Sequence, residues 1–202
     1  MTRALTPLVR HILTIGLLLL GLWFYETMRP VPQPPGVLAP DAPRIEPVAG
    51  KPQIFERNGH VLTALARFDT HARVLSLDRY AGDRAAKVAP LDIALGWGPL
   101  SDSVTLKVVD VAQTKRGVLF KSYDPKLPDE QAAAFLLNLH VIAADDGLAK
   151  KLEDVRTGNI VRMQGWLVEA VAGDGWRWRG EERRESPAMP GTLLWLTQLD
   201  VS

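Results

Sequence analysis

The chain has 202 residues, with 24 Lys and Arg against 23 Asp and Glu for a formal net charge of +1, and no cysteine. The near-balance of charge argues against a general nucleic-acid binder, which needs surplus positive charge to release counterions. The missing cysteines exclude disulfides, thiolate catalysis and thiolate metal sites. Beyond a short N-terminal region, the length accommodates one domain of about 150 residues, enough to bury its own core.

In chain order, the first signal is an uncharged run from Ile12 through Leu17-Leu18-Leu19-Leu20 to Tyr25. Extended back to Pro7 and forward to Met28, with Arg10 and His11 snorkelling, it reaches the roughly 20 residues that span a bilayer as helix. A cleaved secretory signal is the competing reading, but Trp23, Phe24 and Tyr25 stand where signal peptidase needs small residues. The sequence therefore predicts an uncleaved anchor over residues 1–29, with Trp23 and Tyr25 at the far interface. Arg3, Arg10 and the amino terminus precede the run and Arg29 follows it. The positive-inside bias then predicts a cytoplasmic N-terminus and an exported C-terminal bulk.

Residues 30–53 hold eight prolines, from Pro30 to Pro52. Such a stretch forms no helix or central strand and predicts an extended spacer of about 3.1 Å per residue, on the order of 70 Å in all.

The folded domain is expected over 54–202. Val61 to Tyr80 reads as two strands joined around Asp69-Thr70-His71. Pro90 to Leu95 reads as a short helix stopped by Gly96. Val104 to Val111 and Val118 to Phe120 form a hairpin about Lys115-Arg116-Gly117. Asp129 to Leu137 reads as a helix, Leu139 to Ala143 as a strand, and Leu148 to Val155 as a helix capped by Asp145-Asp146. Ile160 to Val171 pairs with Trp176 to Arg179 across Gly173-Asp174-Gly175, and Leu193 to Val201 closes the sheet. Gly165 marks a bend. The fold class expected is α+β: an N-terminal transmembrane helix plus a mainly β domain with a small, partly closed barrel of oligonucleotide/oligosaccharide-binding (OB) type and short helices.

Candidate chemistry is sparse. In Gly96-Trp97-Gly98-Pro99-Leu100-Ser101-Asp102 an indole stands between two glycines. Trp97 either plugs the core or walls a pocket in which Ser101 or Asp102 meets a ligand. His140, inside an expected core strand, completes with Ser101 and Asp102 the residue types of a nucleophile, orienter and base. No G-x-S-x-G elbow surrounds Ser101, and a lone strand histidine is more often a hydrogen-bonded core residue. His60, His71 and Asp69 lack a compact metal-ligand spacing, and no phosphate-binding glycine loop is present. Trp176 and Trp178 share one face of their strand, Arg177 and Arg179 the other. Facing outward, the indoles would stack on bases or sugars; facing inward, they are core.

The elements Leu91 to Asp102, Asn138 to Ile142, Gly165 to Glu169 and Gly175 to Trp178 resemble a bacterial family of membrane-anchored envelope proteins carrying a GWGxxSD element, a family without an assigned function. The chain departs from that pattern at Gly180-Glu181-Glu182-Arg183-Arg184-Glu185-Ser186, where relatives carry a cysteine. The resemblance implies a bacterial envelope protein and gives no reaction; with the charge bias, the anchor is expected in the cytoplasmic membrane and the domain in the periplasm or outside. The function expected is a membrane-tethered, non-enzymatic accessory or scaffold protein that binds a protein or envelope partner, alone or within a membrane complex, with no cofactor or metal. The competing readings are an envelope hydrolase using Ser101, Asp102 and His140, and an OB-type ligand binder using surface tryptophans.

Overall fold

The computed structural model describes residues 6–179 and 189–202. Arg3, the Trp23 side chain and the departure at 180–186 lie outside the described parts. The chain divides into two units, Met1–Pro30 and Val31–Ser202.

In the first unit, α1 spans Pro7–Met28, 22 residues. Pro7 occupies the first turn, where its missing N–H would have no partner in any case. The backbone N–H of Arg29 closes the last turn on the Tyr25 carbonyl at 3.1 Å. The described leucines and isoleucines of the helix are exposed all round. Among the described residues no helix is long and apolar enough to cross a membrane.

The second unit is mainly sheet, built on β3, His60–Arg79, a single strand of 20 residues. The turn expected at Asp69-Thr70-His71 does not form. Phe68, Thr70 and Ala72 are buried while Asp69 and His71 face outward, so the period of two runs on with no glycine or proline to break it. The strand changes direction instead through register shifts between Ala64 and Ala66 against β8, Ile160–Ala172, and between Val74 and Ser76 against β4, Leu91–Gly96. Such bulges let one strand serve two partners.

The helix expected at 90–95 is β4, with every residue buried. Leu91, Ile93 and Leu95 join the main core while Ala94 packs in a second cluster on the other face. A run covered on both faces carries no periodicity to separate strand from helix. The hairpin forms as β5, Val109–Thr114, and β6, Gly117–Ser122, with Thr105–Val108 a short 3-10 turn. The helix at 129–137 shrinks to α2, Asp129–Ala132, because Leu136 and Leu137 belong to β7, Leu136–Ala143. Next comes α3, Asp146–Glu153, capped by Asp145, whose side chain accepts the Leu148 N–H at 2.8 Å. β8 is followed by β9, Arg177–Trp178, and β10, Met189–Val201.

β10 pairs in parallel with β7 and antiparallel with β8; β7 pairs with β4, β4 with β3, and β3 with β8. Five strands thus pair in a ring. Its interior holds Phe68, Ile93, Leu139, Met163, Leu194 and Leu196, with Leu148 and Leu152 of α3 packed on the same core. Gly165 is where β8 and β10 press together, since a Cβ there would overlap the Trp195 carbonyl oxygen.

The proline-rich segment is not a free spacer. Its backbone N–H at Val31 bonds to the Thr157 carbonyl at 2.8 Å, and the Ala39 carbonyl accepts the Gly98 N–H at 2.7 Å. β1, Arg44–Pro47, pairs antiparallel with Ala66 to Asp69 of β3. β2, Ile54–Arg57, then pairs with the start of β3 through an Asn58-Gly59 turn at φ 50° and 73°. Proline rules out a central strand but suits an extended edge, so the composition that predicts a tether equally permits a docked strap. The expected reach of about 70 Å is therefore absent.

Candidate functional site

The heptapeptide at 96–102 is the receptor for that strap. Trp97 is buried, and Gly98 turns the chain at φ 53° with the Phe135 ring filling the space of its absent side chain. The 3-10 turn Gly98–Ser101 that follows aims Ser101 at the strap. Ser101 Oγ accepts the backbone N–H of Leu38 and of Ala39, each at 3.1 Å, and donates to the Gly98 carbonyl at 2.7 Å. Asp102 accepts the N–H of Gly36 at 2.7 Å and of Val104 at 3.0 Å. Those donors, Val104 first and Gly36 next, hold the Asp102 carboxyl below its ordinary value. Ser103 donates to the Gln33 carbonyl at 2.9 Å and receives Arg73 at 2.8 Å. Three successive side chains thus satisfy a strap that lacks a regular ladder of its own.

His140 belongs elsewhere. It lies opposite Asp92 in the β4–β7 pair, at the far end of β4 from Gly96 and the Ser101 turn. Four residues of strand, about 13 Å at 3.3 Å each, separate Asp92 from Gly96. His140 Nδ1 is 2.7 Å from Asp92 Oδ1. A carboxylate only accepts, so Nδ1 carries the proton. Arg116, from the turn between β5 and β6, also reaches Asp92 Oδ1, at 3.0 Å, and donates to the Ala89 carbonyl at 2.7 Å. Its guanidinium lies 3.9 Å over the Tyr80 ring and 5.5 Å from that of Trp178. The Trp178 ring in turn covers His140 at 4.8 Å. Asp92 and His140 are fully buried and Arg116 nearly so. Among the described residues, Asp92 Oδ2, His140 Nε2, Arg116 Nε and Asn138 Nδ2 have no hydrogen-bond partner. Gly191 adjoins the cluster, where a Cβ would overlap the His140 ring and crowd Asn138.

The tryptophans form a half-buried layer outside the ring. Trp176 and Trp178 contact each other at 6.0 Å, as their period-two spacing predicts. His60 meets Trp176 edge-on at 5.5 Å, and Arg84 lies 4.8 Å over it. Arg84 also pairs with Asp174 at 2.5 Å, and that bond, with the Trp176 N–H, lowers the Asp174 carboxyl to about 2. Phe55 stacks on buried Trp195 at 5.2 Å. Arg177 and Arg179 are exposed on the opposite face, Arg177 only 3.9 Å from Glu169.

The structure therefore separates the three residue types that composition brought together. Ser101 and Asp102 hold the strap; His140 pairs with Asp92. Asp92 and Arg116 were not singled out from sequence. Asp92 carried a readable signal as the one acid in Leu91-Asp92-Ile93-Ala94-Leu95, since an acid inside an apolar run must find a partner if the run is buried. Arg116 carried none, because Lys-Arg-Gly reads as a solvated turn.

Comparison of the chain with protein-family models, with curated proteins and with solved structures finds no match to any of them.

Proposed function

We propose that the chain is a single-pass, membrane-tethered accessory protein whose OB-like domain binds a protein partner and performs no chemistry of its own. The OB reading is supported by the ring order β3-β4-β7-β10-β8, with parallel β7 and β10 and a helix between β7 and β8. Its OB ligands would lie on the outer face of β4 and β7. The observation that carries the reading is that this face is filled by the chain itself, with Val109 and Val118 of the β5–β6 hairpin in the cluster around Ala94 and Leu136, and Arg116 on Asp92. A face so occupied does not take an oligonucleotide or oligosaccharide.

Hydrolysis finds no support, since the Ser101 hydroxyl is buried and engaged by Leu38, Ala39 and Gly98. The anchor is supported by the uncharged run Ile12 to Tyr25 lying within one 22-residue helix. The bacterial envelope setting rests on the GWGxxSD resemblance. A tethered domain has its local concentration raised toward a membrane partner, which substitutes for affinity.

The test is crosslinking in intact membranes followed by affinity purification of the full chain, beside the chain lacking residues 1–30. A defined second protein recovered with the full chain and depleted with the truncated one supports the reading; recovery of the full chain alone overturns it. A second reading, ligand stacking on Trp176 and Trp178, is favoured only by their partial exposure beside Arg84. Unchanged tryptophan fluorescence with oligosaccharides and single-stranded nucleic acid dismisses it.

A further inference from the structure

We propose that the outer face of the β5–β6 hairpin is a self-association surface. Its occupant is the same face of a second copy of this chain, related by a two-fold axis that runs along the hairpin between its strands.

The inner face of the hairpin is committed to the fold. Val109 and Val118 lie in the core cluster around Ala94 and Leu136, with Val111 and Phe120 packed against it. Period two then turns Val108, Asp110 and Ala112 outward along one strand and Leu119, Lys121 and Tyr123 along the other. All six are exposed. Ala112 stands opposite Leu119 and Asp110 opposite Lys121, and the Tyr123 N–H donates to the Val108 carbonyl at 2.8 Å, which sets those two residues side by side. The face therefore carries an acid and a base across from each other, between two apolar pairs. Single exposed apolar side chains are ordinary, but here they are gathered. Val108, Leu119 and Tyr123, with Val104 one turn before Val108, are four of the nine large apolar side chains left exposed among the described residues of Val31–Ser202.

The order of the three pairs names the occupant. Rotation about an axis parallel to the strands and midway between them lays β5 of one copy over β6 of the other. Val108 then meets Tyr123 of the second copy, Asp110 meets Lys121 and Ala112 meets Leu119, each contact made twice by symmetry. An axis over β5 alone would instead set Asp110 on Asp110. The charges are available for the pairing. Asp110 forms no ion pair among the described residues, and Lys121 gives one of its three donors to Asp129, at 2.6 Å. Six residues a side fall well short of the roughly 20–30 of a standard interface, so association in free solution is weak. Confinement of two copies by α1 in one bilayer raises their local concentration; that step alone rests on the anchor reading above.

Charge exchange tests the surface. Lys51→Cys, at an exposed position of a chain that has no cysteine of its own, carries a donor or an acceptor dye. Energy transfer between full chains is followed in phosphatidylcholine vesicles as the ratio of chain to lipid rises. Asp110→Lys and Lys121→Asp each set like charges face to face twice. Each variant alone should need at least about tenfold more chain than the wild type for half-maximal transfer, near 1.4 kcal/mol. Mixed in equal amounts, the two variants regain both acid–base contacts and should return to wild-type transfer. Both positions are exposed, so an unchanged Tm separates lost association from a lost fold. For a chain that does not insert, the same series is read by sedimentation equilibrium at high protein concentration. A wild type without concentration-dependent association overturns the proposal. So do charge variants that associate as the wild type does, and a mixture of folded variants that fails to recover. Recovery in the mixture, from a chain that brings no second protein out of membranes, would keep this surface and dismiss the adaptor.

Discussion

His140 Nδ1 stands 2.7 Å from Asp92 Oδ1 directly across the β4–β7 pair, with both side chains fully buried. The pairing explains why a histidine and an acid survive inside a sheet covered on both faces. Each satisfies one polar atom of the other, and Arg116 balances the carboxylate's charge.

That balance fixes the first prediction. Asp92→Asn leaves buried Arg116 with only the 3.4 Å contact to the exposed Asp83 carboxylate as counter-charge and should cost about 3–5 kcal/mol, the usual range for breaking one side of a buried pair. Asp92→Asn with Arg116→Met removes both charges and should recover a large part of the loss. Urea unfolding of the two single variants and the double variant measures the coupling; additive effects contradict the geometry.

The strap gives the second. Ser101→Ala removes the acceptor shared by the Leu38 and Ala39 N–H groups and should cost about 1–3 kcal/mol. Hydrogen exchange should quicken at Leu38 and Ala39 and stay unchanged along β4. A chain whose strap exchanges no faster would mean that Ser101 does not hold it.

Packing beside His140 gives the third. Gly191→Ala drives a methyl group into the His140 ring and should destabilise by about 1–3 kcal/mol. Gly173→Ala, in open space, should fall within about 0.5 kcal/mol of the wild type. Equal stabilities for the two variants would contradict the close approach of β10 to the cluster.

The fourth concerns pH. Arg84 and the Trp176 N–H hold the Asp174 carboxyl at about 2, below its ordinary 3.8. As pH falls, the unfolded chain takes up this proton first, so the contribution is complete above 3.8 and disappears toward 2. Wild-type urea midpoints should therefore drop more steeply over that window than those of Asp174→Asn. Both side chains are well exposed, so salt should shrink the difference. Parallel curves would rule out the Arg84 bond as its cause.

The elements legible in the sequence are those whose pattern is local. β8, β10, α3 and the β5–β6 hairpin follow from period two, a capping acid and a turn, and Trp176 and Trp178 meet as their spacing requires. β4 was misread because tertiary cover on both faces erased its period, and the helix ending at Leu137 because Leu136 and Leu137 pair with β4. The length of β3 was hidden by Asp69 and His71, which read as a turn yet merely face outward. In the site, His140 was visible as a lone strand histidine. Its partners were not: Asp92 lies 48 residues away and Arg116 reaches in from a hairpin tip. The strap shows the same limit, since proline content constrains backbone and says nothing of what the backbone docks on.

The most direct test of the account is the mass and location of the chain made in a bacterial host. After alkaline washing of membranes, the account predicts a pelleted protein whose mass includes the run Ile12 to Tyr25. A washed-off protein whose mass begins near residue 26 would contradict it, because the domain would then have no hold on the membrane and no reason to find its partner there.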